Sequence, residues 1–298
     1  MLDITTLTEV GVAAAVIGAA ALVPTTLGWL ETRRQRLLAE GALRADLKPV
    51  VTRAAKTVWR CGIYEYPPLS HWPAQRGLEP SGPFVVLAHE VARSLGKSAT
   101  CEPFSYEDFY KGSDRIPDMV VGMFKTARRA EHVAFSRPVY KIGLQGICRR
   151  DQQGDILKGL REGNLSVAVY YGEVGWEFVE DELKDACEQN RVVKLIGGHQ
   201  LDTMNHLTEG TYDVVIMDSL ACANFLAEKD HRKKFRIAFD QPLDKFDACV
   251  SVRPENRDLL PTINNAIEQI RNSRDFLDME NEALAGFDKI IERRALRA

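Results

Sequence analysis

An α/β fold preceded by an N-terminal transmembrane helix is what this sequence predicts, and three observations carry that reading. Residues 10–30 form one uncharged apolar run, VGVAAAVIGAAALVPTTLGWL. After residue 57, short apolar runs alternate with stretches of helical periodicity, the pattern of parallel strands flanked by helices. The composition, 45% hydrophobic and 27% charged over 298 residues, supplies a sizeable core and excludes a disordered chain.

At about 1.5 Å rise per residue, a helix from Val10 to Leu30 is roughly 30 Å long, the thickness of a bilayer's hydrocarbon core. Trp29 falls where an interfacial aromatic is expected. A cleaved signal peptide needs a basic leader, yet no Lys or Arg precedes residue 33, so an uncleaved anchor over residues 1–30 is favoured. Arg33, Arg34, Arg36, Arg44 and Lys48 follow it, and this charge bias puts the remainder on the cytoplasmic side. Residues 31–56, rich in Arg, Ala and Leu with acids interspersed, read as a charged helical stalk.

Beyond the stalk, Val58–Ile63 (VWRCGI) reads as a strand, followed by a turn-rich segment. Phe84–Leu95 carries apolar residues at helical spacing and stops at Gly96. Asp118–Met123, Leu165–Tyr171 and Asp213–Met217 are further short strands, the last two continuing into helical patterns. In such sheets ligands bind beyond the C-terminal ends of strands, where helix N-termini present free N–H groups. Three loops meet that condition: Gly122–Arg129, Gly172–Gly175, and the one beginning at Asp218.

Much chemistry is excluded. The 39 Lys and Arg against 42 Asp and Glu give a net charge of -3, the wrong balance for a nucleic-acid coat. The 6 cysteines contain no C-x-x-C and the 6 histidines no zinc-ligand spacing, so no metal is expected. With no P-loop and no G-x-S-x-G elbow, no cofactor is expected either. Cys61 and Cys101 fall on or beside adjacent strands, which leaves a disulfide or buried reduced thiols there, the thiols favoured.

The stretch Asp118 to Tyr140, DMVVGMFKTARRAEHVAFSRPVY, resembles a pattern of the family 3 extracellular solute-binding proteins, the two-lobed receptors for polar amino acids. That pattern is Asp-x-x-x-x-Gly-Met-Ser/Thr-x-Thr-x-x-Arg followed by Phe-Ser-x-Pro-x-Tyr, here one residue shorter. Cys61-Gly62 leading to Tyr66-Pro67-Pro68-Leu69 is similar to the family's opening turn, and Gly82–Ala88 to its first helix start. SVAVYYGEVGWEF, LTEGTYDVVIMDSLACANFLAE and DACVSVRPENRDLLPTINNAIEQI resemble later family segments, in order. The likeness spans about residues 57 to 290 and implies a periplasmic-binding-protein-like fold (type II). Lobe one would hold 57–138 and 248–290, lobe two 146–241, with the hinge near 139–145 and 242–247.

The resemblance also implies roles. Arg129, with Arg128 as the fallback, matches an Arg that takes a ligand carboxylate bidentately, a geometry Lys does not supply. Thr126 begins its helix and is placed to cap it. Asp218 matches the lobe-two carboxylate that receives the ligand's ammonium; an N-cap is its structural alternative. Tyr66 and Gly122 from lobe one, and Gly172 and Glu173 from lobe two, complete the candidate site. Tyr64, Tyr66 and Trp72 are placed either to stack on a cation or simply to pack.

Three departures stand out. Phe124 or Lys125 replaces a Ser/Thr donor, Glu173 and Val174 replace Thr/Ser donors, and Phe84 and Val86 replace two acids. A Glu173 facing the cleft would repel a second carboxylate and favour a cationic ligand; a Glu173 capping its helix would not. The expected function is therefore a membrane-anchored, non-enzymatic module binding a small amino-acid-like or cationic ligand. The alternatives are an accessory subunit of a membrane complex that has lost its ligand, and an enzyme like the cyclohexadienyl dehydratases, with Glu173 as general acid. The family's usual compartment, the periplasm, opposes the charge bias around the anchor.

Overall fold

The computed structural model describes residues 57–73, 78–110, 112, 116–184, 192–195, 206–287 and 291–292. The expected anchor and stalk lie outside these, and so does Cys187. Among the described residues no helix is long and apolar enough to cross a membrane.

Strand β1 (Val58–Ile63) has the bounds its apolar run predicts. Helix α1 (Pro83–Ser94) begins one residue earlier than expected, because Pro83 at its first turn presets the helical φ and has no N–H to satisfy. Gly82 before it has φ 110°, and a Cβ there would lie 2.6 Å from the Leu69 carbonyl oxygen, so only glycine fits this entry. Strand β2 (Ser98–Pro103) pairs parallel with β1, after which come α2 (Tyr106–Tyr110) and β3 (Met119–Phe124). Every residue of β3 is buried, as its unbroken apolar run requires. The short helix α3 (Ala127–Ala130) follows directly.

Strand β4 (Ala134–Arg149) is 16 residues long. Then come α4 (Ile156–Arg161), β5 (Val167–Tyr170), α5 (Val174–Glu182), β6 (Val192–Leu195), β7 (Val214–Asp218), α6 (Ser219–Ala227), α7 (Lys229–Lys234) and β8 (Phe235–Ile237). Strand β9 (Asp244–Val252), a 3-10 turn (Pro254–Leu259), helices α8 (Leu260–Arg271) and α9 (Arg274–Ala283), and the two-residue β10 (Ile291–Glu292) complete the described elements.

The strand order is β2-β1-β3-β9-β4-β7-β5-β6, with β8 and β10 added against β4. The alternation of strands and helices predicts parallel strands, which each end of the sheet contains, with two antiparallel strands between them. Strands β1, β2 and β3 are parallel, as are β5, β6 and β7, but β9 runs antiparallel to β3 and β4, and β4 antiparallel to β7. The cause is topological. Strand β4 carries the chain from the first parallel group to the second and β9 carries it back, so the two crossings oppose each other. Tyr140–Leu144 pairs with Ala248–Asp244, which overlaps the hinge segments expected near 139–145 and 242–247.

The core runs through both groups, from Ile63, Leu87, Met119 and Val121 to Val167, Val169, Val214 and Ile216. The five cysteines described, Cys61, Cys101, Cys148, Cys222 and Cys249, are free thiols, although Cys61 and Cys101 are register partners across β1 and β2.

Helices α8 and α9 are fastened to β4 by a buried polar cluster. Tyr140 donates its hydroxyl to Glu280 Oε1 at 2.5 Å, Arg271 donates to the Val139 carbonyl at 2.5 Å, and Arg271 and Glu280 lie 3.8 Å apart. Removing one partner of a buried ion pair costs about 3–5 kcal/mol, because the other charge is left in a low-dielectric site. Glu280→Ala should therefore lower the thermal midpoint by roughly 10 °C. A change of under 2 °C in a calorimetric scan would show that the cluster does not fasten these helices.

Candidate functional site

The sequence-predicted residues converge where the C-terminal ends of β1 and β3 face those of β5 and β7. At the centre is Arg129, whose side chain is fully buried. Thr126 caps the helix that carries it, its hydroxyl oxygen accepting from the Arg129 N–H at 3.2 Å. The guanidinium lies 4.1 Å from the centre of the Tyr106 ring and donates to the Tyr106 hydroxyl oxygen at 3.2 Å. It also donates to the Phe124 carbonyl at 3.0 Å and the Gly172 carbonyl at 2.9 Å. Its Nε donates to Glu177 Oε1 at 3.0 Å. Burial alone would weaken its positive charge, but the Tyr106 and Glu177 oxygens more than offset that and hold it on.

Glu177 and Gly172 belong to the β5–α5 segment, so Arg129 joins the β1–β3 group to the β5–β7 group. Two further contacts do the same. Tyr66 donates its hydroxyl to Asp218 Oδ1 at 2.6 Å, and Tyr110 donates to Glu177 Oε1 at 3.0 Å. Near them, Arg128 sits 4.7 Å above the Trp176 ring and 3.0 Å from Glu180, a part-exposed pair that contributes little.

Asp218 does what an N-cap does, accepting from the backbone N–H groups of Leu220 and Ala221 at 3.0 and 2.9 Å. It is 5% exposed, and burial raises its carboxyl pKa against the lowering effect of the Tyr66 hydroxyl and those two N–H groups. Capping and the Tyr66 contact coexist on one oxygen.

Glu173 occupies the N-cap position of α5, yet its side chain makes no capping bond. No hydrogen bond to its carboxylate occurs among the described residues, and the side chain is half-buried in a dense protein surround. Burial, reinforced by the Asp218 carboxylate and opposed by Arg129, pushes its pKa up to about 7. Tyr64 and Tyr66 stand nearby with ring centres 5.2 Å apart, and Tyr64 lies 5.9 Å from Tyr106. Burial keeps all three phenols protonated. Tyr64 donates to the Gly122 carbonyl at 2.8 Å. Gly122 has φ 83°, and a Cβ on it would strike the Phe84 ring at 2.2 Å, so the ring that replaces an acid in the family pattern requires this glycine. Trp72 is not stacked with the tyrosines; its indole N–H donates to the Ile63 carbonyl at 2.9 Å.

Sequence reasoning missed Tyr106, Tyr110, Trp176 and Glu177. Glu177 carried a usable signal, since it lies one helical turn after Glu173 and so shares its face. The tyrosines of FSYEDFY carried none beyond aromatic content. A separate surface cavity of about 860 Å³ lies between α4, α5 and residues 238–244 and contains none of the cleft residues. Among the described residues no cluster of His, Cys, Asp and Glu is disposed to hold a metal.

Facing Glu173 are Asp218, Arg129 and the neutral phenols of Tyr64, Tyr66 and Tyr106. A carboxyl whose folded pKa lies above its unfolded value of 4.5 holds its proton better when folded, so stability falls as pH rises from about 4.5 to about 7. Glutamine never ionises. The ligand-free Glu173→Gln variant should therefore melt several degrees above the parent at pH 8, roughly 5 °C by the usual conversion, and the two curves should meet near pH 4.5. Parallel curves across that range would contradict the placement of Glu173.

The sequence pattern of the bacterial extracellular solute-binding proteins, family 3, matches residues 60–284. Among solved structures, holo ArgBP from T. maritima is 22% identical with a TM-score of 0.59, covering 76% of this chain and 96% of that one. An ancestral arginine-binding protein bound to arginine is 21% identical with a TM-score of 0.63, covering 76% and 98%. The AvGluR1 ligand-binding domain in complex with serine is 16% identical with a TM-score of 0.65, covering 79% and 98%. At these identities the likeness is one of fold. No curated protein gives a match.

Proposed function

This chain belongs to the bacterial extracellular solute-binding proteins of family 3, and from that premise we propose that it is a membrane-tethered, non-enzymatic module closing two lobes over a small amino-acid-like or cationic ligand. The observation that supports this most is the convergence, at facing strand ends, of Tyr64 and Tyr66 from one lobe with Glu173 and Asp218 from the other. In this reading they surround the ligand, and the two crossing strands serve as the hinge about which the lobes close. The structural relatives are proteins that bind arginine and, for AvGluR1, serine.

A specific observation favours a second reading, an accessory subunit without a ligand. The lobes are already joined by direct contacts, Arg129 to Glu177 and Gly172, and Tyr66 to Asp218. Thermal-shift screening across amino acids, amines and dicarboxylates separates the two. A ligand at about one hundred times its Kd adds roughly 2.7 kcal/mol, a shift of about 5–10 °C, which Asp218→Ala should abolish. A blank screen with a co-purifying membrane partner would establish the accessory role instead.

Tethering is assigned to residues 10–30, with the domain on the side of the Arg33–Lys48 positive cluster. Removing residues 1–30 should release the protein from sedimented membranes. A reporter fused at residue 298 should signal from the cytoplasm; a periplasmic signal would overturn that orientation and leave the tether standing.

A further inference from the structure

Resting on the ligand-binding reading above, we infer that the cleft takes a small organic cation without an α-carboxylate, an amine or guanidinium, in preference to an α-amino acid. The positive group that a ligand carboxylate would need is already engaged. Each guanidinium nitrogen of Arg129 has a protein partner: Nε has Glu177, one terminal nitrogen has Tyr106 and the Phe124 carbonyl, and the other has the Gly172 carbonyl. The side chain is 0% exposed and its open face is covered by the Tyr106 ring. An incoming carboxylate would have to displace Glu177, a carboxylate of the protein itself, which also accepts from Tyr110.

The remaining charges have the opposite sign. Glu173 and Asp218 face the same region, and with Glu177 they set three carboxylates around the Arg129 guanidinium, while the neighbouring Arg128 is paired to Glu180. Asp218 is partly satisfied by two backbone N–H groups and Tyr66. Glu173 has no hydrogen-bond partner among the described residues and does not cap its helix, so a ligand donor is the group that would complete it. The rings of Tyr64, Tyr66 and Tyr106 stand around these acids and offer π faces and phenol oxygens, which suit a cation. A ligand carboxylate placed here would meet like charges in a low-dielectric site, an arrangement that strongly disfavours binding.

Matched ligand pairs test this on the full chain. Agmatine is arginine without its carboxylate, and putrescine is ornithine without its carboxylate. Titration calorimetry at pH 8 should give each decarboxylated member at least a tenfold lower Kd than its amino acid. Glu177→Gln removes the carboxylate that holds Arg129 and should move the ratio at least tenfold toward arginine. Glu173→Gln should weaken agmatine at least tenfold, with circular dichroism confirming that both variants fold. Arginine binding as tightly as agmatine, or tighter, would overturn the inference while leaving the ligand-binding reading intact. If no amino acid or amine raises the melting temperature, both fall together.

Discussion

A buried guanidinium is the constraint on which the rest of this site depends. An isolated charge in a protein interior is costly, and Arg129 is tolerated only because side chains and carbonyls from both lobes supply its partners. That requirement fixes α3 relative to the end of β3, brings the Tyr106 ring over the charge, and orients α5 so that Glu177 points inward. It also closes the cleft from within. An arginine that receives its counter-charge from outside holds the lobes together only when the ligand is present; this one carries its counter-charge on the facing lobe.

Closure by internal contacts changes what the other residues are left to do. Asp218 is largely occupied with its helix and Tyr66, and Glu173 is the carboxylate at the centre without a donor among the described residues. Electrostatic character therefore resides in an excess of acids among aromatic rings. Phe84 contributes by its bulk, stacking on Tyr66 at 6.1 Å between ring centres and occupying the space above Gly122. The departures from the family pattern are thus mutually consistent. Side-chain donors for a carboxylate are absent at Phe124 and Val174, and the buried Arg129 is matched by Glu177.

Most of the fold was legible because it rests on local signals. The buried runs of β1, β3, β5 and β7 lie within two residues of the expected bounds, and Pro83 and Gly96 bracket α1. The mixed strand direction was not legible from periodicity, because alternation along a strand says nothing about the direction of its neighbour. The site was half legible. Strand ends marked the loops Gly122–Arg129, Gly172–Gly175 and the one at Asp218, since a segment following a buried strand sits at the sheet's end, and the family resemblance singled out Arg129, Glu173 and Asp218 within them. That Arg129 would find Glu177 was not readable, because 48 positions separate the partners and pairing across a cleft leaves no mark in local spacing.

The crossing strands tie the site to the C-terminal helices. At Lys141 and Ile142, strand β4 is paired on one side to β9 and on the other to β10, so the crossing is a three-stranded ribbon there. Just before it, Val139 and Tyr140 are fastened to α8 and α9 through Arg271 and Glu280. The crossing is therefore a continuous hydrogen-bonded ladder with the C-terminal helices anchored on one side of it. Tyr140 in turn packs on Phe84 at 6.0 Å between ring centres, and Phe84 stacks on Tyr66, so the anchoring of the C-terminal helices is wired to the aromatic wall of the site.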